Sequence, residues 1–177
     1  MYISRGAAYE KAGKKNLAIA DYRKACDMGD KLSCHYLQTL TSDWVHYGNN
    51  ALGDNYYYNK VKIKYYPTNF VRVWNKQIYS VEGRKQYLNT LIKKGLPEND
   101  LLKKGYDRLE YTNTLWEINC KNKTLKLCSL IYYSEGGLVI EQFDYESLFG
   151  NLIGHSHISP ESAEDSLFDK VCSKEKK

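Results

Sequence analysis

Residues 111–133 read YTNTLWEINCKNKTLKLCSLIYY, and this stretch decides the fold. Tyr111–Cys120 and Leu125–Tyr133 are both rich in aromatic, β-branched and alternating apolar residues, the composition of half-buried pleated strands. Lys121-Asn122-Lys123 is a short polar break between them. Two strands joined by so few residues pair antiparallel. A two-residue turn at Asn122-Lys123 sets Cys120 opposite Leu125 and turns Cys128 to the other face of the hairpin.

The same signature recurs on both sides of this hairpin. Trp44–Tyr47, Tyr56–Tyr58, Val61–Tyr65, Phe70–Trp74 and Leu138–Phe143 are expected strands. Gly48-Asn49-Asn50, Pro67-Thr68-Asn69 and Glu135-Gly136-Gly137 break them. The spacing is that of an antiparallel meander. The segment Val81–Lys104, with its lysines, leucines and Gly95-Leu96-Pro97, reads as a helix or a long irregular insertion, with Asn99 capping a short second turn. The chain closes on a helix. Ser159 is the expected N-cap and Pro160 occupies the favoured first position. Ala163, Leu167, Phe168, Val171 and Cys172 share one apolar face, and Glu164 lies on the solvent side. Packing that face on the sheet gives an α+β domain over residues 43–177.

Residues 1–42 follow a helical period instead. Ala7, Ala8 and Tyr9, then Leu17, Ala18, Ala20, Tyr22 and Ala25, recur at helical spacing around Gly13-Lys14-Lys15-Asn16. Gly13 suits a helix end and Asn16 an N-cap, which makes an αα-hairpin. Lys31–Thr41 adds a single capping helix with Asp30 as its N-cap. The order Tyr2, Gly6, Tyr9, Ala18, Tyr22, Ala25 resembles a tetratricopeptide repeat, with small residues where the helices approach. Arg5 stands where that repeat usually has leucine, and Asp30 where it has proline. Lys24-Ala25-Cys26-Asp27-Met28-Gly29-Asp30 followed by Ser33-Cys34 resembles the Sel1-like, cysteine-rich variant. That resemblance implies a Cys26–Cys34 bridge between the second helix and the next. Such a bridge contributes about 2.6 kcal/mol in the loop-entropy model. Two buried thiols are the alternative. Repeats of this kind bury their faces against neighbours, so the unit is expected to end a longer array, or else to be an isolated hairpin steadied by the following domain.

The 177 residues suit one ordinary domain or a small domain with an appendage. The net charge of +5 comes from lysines spread along the chain without a dense arginine run, so nucleic acid is not the expected partner. No apolar run approaches the roughly 18 residues of a membrane-spanning helix. Tyrosine is abundant, 17 against 4 Phe, which suits half-buried sheet faces and binding surfaces.

Over roughly residues 43–173 the chain is similar to the bacterial surface-adhesin protein E-like family. The resemblance is carried by Trp44, Tyr56–Tyr58, Val71-Arg72-Val73-Trp74, Ile118-Asn119-Cys120, Tyr132-Tyr133, Ile158-Ser159-Pro160 with Ser162, and Val171-Cys172. It implies a small α+β domain of the cell surface or periplasm. It also implies a Cys120–Cys172 bridge from the sheet to the last helix, contributing about 4 kcal/mol in the same model. The hairpin geometry makes Cys120–Cys128 the poorer pairing and leaves Cys128 as the odd thiol. Disulfides in turn imply an oxidising compartment.

Catalytic and metal chemistry find little support. His155-Ser156-His157 places two imidazoles on one side of an extended segment, but zinc takes three or four ligands and none follows nearby in sequence. Cys128 with His35 or His46 lacks any local support as a nucleophile and base, and a small buried residue is the plainer reading. Glu161, Glu164 and Asp165 favour a helix start. No phosphate-cradling glycine loop or nucleophile elbow is present. Lys60, Lys62 and Lys64 alternate with Val61, Ile63 and Tyr65, so a strand here exposes a basic stripe for an acidic partner or glycan. An edge strand guarded by lysines against aggregation is the other reading of the same pattern.

The sequence therefore describes a non-enzymatic, cofactor-free binding protein of the bacterial envelope, secreted, surface-held or periplasmic, whose partner is another protein, such as a matrix-type or envelope protein. The alternatives are a structural scaffold of an envelope complex and, behind it, an enzyme with an unrecognised site.

Overall fold

A computed structural model describes residues 2–173. The chain divides between Asp43 and Trp44 into two compact units. The architecture is α+β, as expected.

The first unit contains α1 (Tyr2–Lys11), α2 (Lys15–Asp27) and α3 (Lys31–Thr41). Its helices approach closely where side chains are small. Ala18 and Ala25 are buried, and a Cβ added at Gly6 would lie 2.9 Å from the Tyr22 ring. Gly13 adopts the left-handed conformation (φ +69°) that ends α1. Asn16 is not a cap. It lies inside α2, whose start has Lys14 at the cap position and no side-chain cap. The Asp30 carboxylate does cap α3, accepting from the Ser33 N–H at 2.6 Å. Arg5, the departure from the repeat pattern, has a structural partner: its guanidinium donates to both oxygens of buried Asp21, at 2.6 and 2.7 Å. A leucine there would leave that carboxylate buried and unpaired. Cys26 and Cys34 are bonded, with Cα atoms 4.6 Å apart.

The second unit is built on an eight-stranded antiparallel sheet. Its strands are β1 (Trp44–Asn49), β2 (Asn55–Asn59), β3 (Lys64–Tyr66), β4 (Phe70–Ile78), β5 (Leu109–Asn119), β6 (Thr124–Ser134), β7 (Val139–Asp144) and β8 (Ser156–His157). The order is β1-β2-β4-β5-β6-β7, with β3 pairing to β4 and β8 to β6. The expected strand Val61–Tyr65 is mostly turn. Asn59 accepts the N–H groups of Val61 and Lys62 at 3.1 and 2.9 Å, which curls the backbone after β2 and leaves strand pairing only from Lys64 onward. In the central hairpin Asn119 pairs with Thr124, so Cys120 stands beyond the ladder rather than opposite Leu125. The slip is an even number of residues, so the assignment of faces survives.

The segment 81–104 forms two helices, α4 (Val81–Lys93) and α5 (Glu98–Lys104), separated by a turn at Gly95 (φ +91°). Asn99 lies within α5 rather than at its cap. A short α6 (Tyr145–Phe149) follows β7. The last helix, α7 (Ala163–Cys172), begins later than expected. Ser162, not Ser159, is its cap, accepting from the Asp165 N–H at 3.1 Å. Pro160 lies in the preceding turn, where Glu161 takes a positive φ of 62°.

Strand register sorts side chains between two faces. Val71, Val73 and Asn75 of β4 stand beside Ile118, Trp116 and Thr114 of β5 on one face. Leu167, Val171 and Cys172 of α7 pack with Val71, Val73 and Ile118 there, and each Leu or Val so buried contributes roughly 1.5–3 kcal/mol. A second cluster joins Tyr79, Leu101, Tyr106, Leu109 and Tyr132, with Tyr87 and Leu91 of α4 against it. Much of the tyrosine content is spent here, as rings whose hydroxyls find partners in the core: Tyr87 and Tyr132 share a 2.7 Å hydrogen bond and Tyr106 donates to Glu141 at 2.7 Å.

Buried Asp54 ties the first strands to α4. It accepts from the Ser80 N–H at 2.8 Å and from Gln77 and Asn50 at 3.0 Å each, and it sits so close to the first turn of α4 that a Cβ at Gly83 would come within 1.9 Å of its Oδ1. Gly83→Ala is therefore expected to lower stability by about 1–3 kcal/mol through overpacking. Gly48→Ala, where the added carbon meets nothing within 4 Å, is expected to change it by less than about 0.5 kcal/mol. Urea titration of the two variants checks both.

Candidate protein-interaction surface

Cys120 and Cys172 are bonded, with Cα atoms 5.5 Å apart, so the last helix is tied to the end of β5. Cys128 is the free cysteine among the described residues, and it is buried. It falls at a bulge in β6, between Leu127, which pairs with Trp116, and Ser129, which pairs with Leu115.

The expected basic stripe is not assembled. Lys60 and Lys62 lie in the turn after β2, and only Lys64 is on a strand. Val61, expected to be buried between them, is 65% exposed. The cause is the Asn59 turn: without continuous pleat there is no alternation of faces.

Of the histidines, His155 lies 3.5 Å from Glu117, and His157 pairs with Thr124 on β8. His46 packs edge-on to Tyr57 on the sheet. The residues that do bring ligand-type atoms together are Glu117, Cys128 and Glu146, within 4.8 Å of one another. Arg72 supplies the opposing charge. Its Nε donates to Glu117 at 2.7 Å, and the two terminal nitrogens face Glu146. The cluster is thus an arginine clamp joining β4, β5 and α6. Burial, reinforced by Glu146, raises the Cys128 thiol from its ordinary 9.0 to about 11, the reverse of what a nucleophile needs.

The surface that sequence reading missed is the other face of the sheet. Arg72, Trp74 and Lys76 of β4 alternate with the core residues, and Trp44, Tyr57, Tyr111 and Tyr133 share their side by register. The α7 and α4–α5 helices cover the opposite face; α6 reaches this one at its Arg72 end. A row of half-exposed aromatic rings remains beyond it. The Lys76 ammonium lies 4.4 Å from the Trp44 ring centroid and 4.8 Å from that of Tyr111, and Tyr111 stacks on Tyr133 at 4.5 Å. Burial holds the Lys76 pKa below its ordinary value. The signal was available in FVRVWNKQI, where alternate residues from Phe70 to Lys76 are large and polar or aromatic, but it becomes a surface only when five strands are placed in register.

The second unit is thus a disulfide-closed α+β domain with one sheet face under helices and an aromatic, cationic stretch on the other. The chain belongs to the surface-adhesin protein E family, whose model matches residues 44–173. No curated protein matches it. Among solved structures, crystal form II of Haemophilus influenzae protein E is similar at 13% identity, over 75% of this chain and 89% of that one, with a TM-score of 0.44. The selenomethionine form gives 14%, 75% and 87%, with a TM-score of 0.44. Protein E from non-typeable Haemophilus influenzae gives 13%, 75% and 76%, with a TM-score of 0.42. The matched family segment does not include the first unit. No helix among the described residues is long and apolar enough to cross a membrane.

Two measurements follow from the cysteines. The loop-entropy model gives about 4 kcal/mol for removing the Cys120–Cys172 bridge as a double alanine variant and about 2.6 kcal/mol for Cys26–Cys34, read by denaturant titration. The buried Cys128 thiol stays protonated to a higher pH in the folded chain than in the unfolded one. Its contribution is thus complete below pH 9 and is lost as pH rises from 9.0 through about 11. The wild type is expected to lose stability across that interval more steeply than Cys128→Ala.

Proposed function

We propose that this protein is a non-enzymatic, adhesin-like interaction module of the bacterial envelope, secreted, surface-held or periplasmic. Its partner is another protein, of extracellular-matrix or envelope type. The aromatic stretch of open sheet around Trp44, Lys76, Tyr111 and Tyr133 is the observation that carries this reading. Trp and Tyr rings supply large contact area with few rotatable bonds, and they dominate the residues whose truncation costs most at interfaces. Family membership gives the same class of role, and two disulfides suit an oxidising compartment. Lys60 and Lys62 in the turn, and Lys64 at the start of β3, act in this reading as solubilising charges, not as the principal contact.

The first unit supports a second reading, a scaffold. Its small-residue helix contacts and the Cys26–Cys34 bridge suit a Sel1-like repeat that stacks on like units, with residues 43–177 as an appended domain.

The oxidised full chain separates the two when passed over immobilised extracellular-matrix proteins in surface plasmon resonance. Saturable binding, weakened about thirtyfold or more by Trp44→Ala with Tyr133→Ala and little by Lys60→Gln, Lys62→Gln and Lys64→Gln together, is the expected result for a hot spot of about 2 kcal/mol. No binding by the folded wild-type chain overturns the adhesin reading in favour of the scaffold.

A further inference from the structure

Lys76 is unusual among the half-buried cations of this chain. Arg72 and Arg84, likewise partly exposed, each have a carboxylate oxygen within 2.9 Å, as do the more exposed Arg5, Lys104 and Lys123, and buried Lys126 donates to the Gly150 carbonyl at 3.4 Å. Lys76 forms no ion pair with any described residue; Glu110 acts on it only through space. It is not at the rim either. Its neighbours across the ladder are Tyr57 on one side and Asn113 on the other, so it stands on the third strand of the sheet order, flanked by pleat on both sides. A lysine stem ordinarily carries its ammonium outward to water. Here the ammonium lies between two ring faces, 4.4 Å from Trp44 and 4.8 Å from Tyr111. Ring quadrupoles favour a cation but leave its hydrogen-bond donors unfilled, since an ammonium has three.

We propose that the open sheet face binds an acidic segment of a protein partner, seating one carboxylate on the Lys76 ammonium while apolar atoms of the segment lie on Trp44, Tyr111 and Tyr133. This rests on the protein-binding reading above and names the chemistry of its partner. Charge complementarity selects the occupant. The platform offers one positive charge in a partly desolvated apolar setting, where a carboxylate is attracted more strongly than at an exposed lysine. The chain as a whole is positive by +5, which favours encounter with acidic surfaces. A glycan is the poorer fit. Recognition of sugar hydroxyls calls for several paired donors and acceptors, whereas the residues flanking Lys76 on this face are chiefly rings, with Asn113 as the neutral polar neighbour.

The test uses the oxidised full chain and two fluorescein-labelled hexapeptides, one of alternating aspartate and leucine and one of alternating asparagine and leucine, followed by fluorescence anisotropy. The acidic peptide is expected to bind about tenfold or more tightly than the neutral one. Lys76→Arg keeps the preference and Lys76→Gln abolishes it, both with unchanged near-ultraviolet circular dichroism. Trp44→Ala weakens both peptides. Equal binding of the two peptides by the wild type, or a preference that survives Lys76→Gln, overturns the proposal. So does a preference removed by Lys60→Gln with Lys62→Gln instead. Heparin oligosaccharide binding that Lys76→Gln removes, without any peptide preference, assigns the cation to a glycan and also overturns it. If matrix proteins bind through Trp44 and Tyr133 while the peptides are not distinguished, the adhesin reading stands and this inference alone is lost.

Discussion

The ladder between β4 and β5 is the constraint on which the second unit depends. It runs unbroken from Phe70 opposite Asn119 to Ile78 opposite Tyr111. Because side chains alternate with a period of two, this one register decides both halves of the domain at once. It turns Val71, Val73 and Ile118 toward α7 and, in the same step, turns Arg72, Trp74 and Lys76 the other way. A slip by one residue would bury an arginine and a lysine under the helices and expose the core valines. Burying those charges without partners costs far more than the ladder's hydrogen bonds recover. The hydrophobic core and the candidate binding face are therefore two consequences of a single pairing.

Two devices hold that pairing against the twist of a long sheet. On the helix side, the Cys120–Cys172 bridge anchors the last residue of α7 just past the end of β5, where Cys120 also donates its backbone N–H to Asn69 at 2.8 Å. On the other side, Arg72 joins β4 to Glu117 of β5 and Glu146 of α6. Guanidinium suits this task because its fork can meet two carboxylates in fixed geometry. Both devices lie toward one end of the sheet. At the other end Asp54 gathers Asn50, Gln77 and Ser80. The aromatic stretch around Lys76 falls between these anchors, on rigid backbone, which is where a contact surface loses least entropy on binding.

Much of this was legible in the chain. The Cys120–Cys172 and Cys26–Cys34 bonds, the paired core strands, the apolar face of α7 and the Asp30 cap all rest on local pattern or on family resemblance, and the structure has each of them. What failed did so for local physical reasons. The stripe Lys60, Lys62, Lys64 required a strand, but the Asn59 side chain competes for the backbone N–H groups of Val61 and Lys62 and makes a turn. Ser159 looked like a cap because Pro160 follows it, yet Ser162 has a free run of helix formers after it and captures the Asp165 N–H. The Arg72–Glu117–Glu146 clamp and the Trp44–Lys76–Tyr111 contact were invisible for a different reason. Their members come from strands and a helix far apart in sequence, so no window of the chain contains them.

The contrast between the two lysine groups carries the functional argument. Lys60 and Lys62 are exposed, so their charges are screened by water and salt and are worth little to any partner. Lys76 is held among rings, its stem already ordered by the pleat and its ammonium partly desolvated before anything binds. A carboxylate arriving there meets a charge that has lost part of its water but has no counter-ion among the described residues, whereas one arriving at Lys60 must displace a full hydration shell for a screened attraction. Proteins rarely leave a half-buried cation unpaired within a sheet face, because replacing it with a neutral residue is the simpler route to stability. The neighbouring Arg72, with two carboxylates, shows the same sheet satisfying a cation when structure alone is at stake. The unmet donors of Lys76 are thus best understood as belonging to an interaction completed by another molecule.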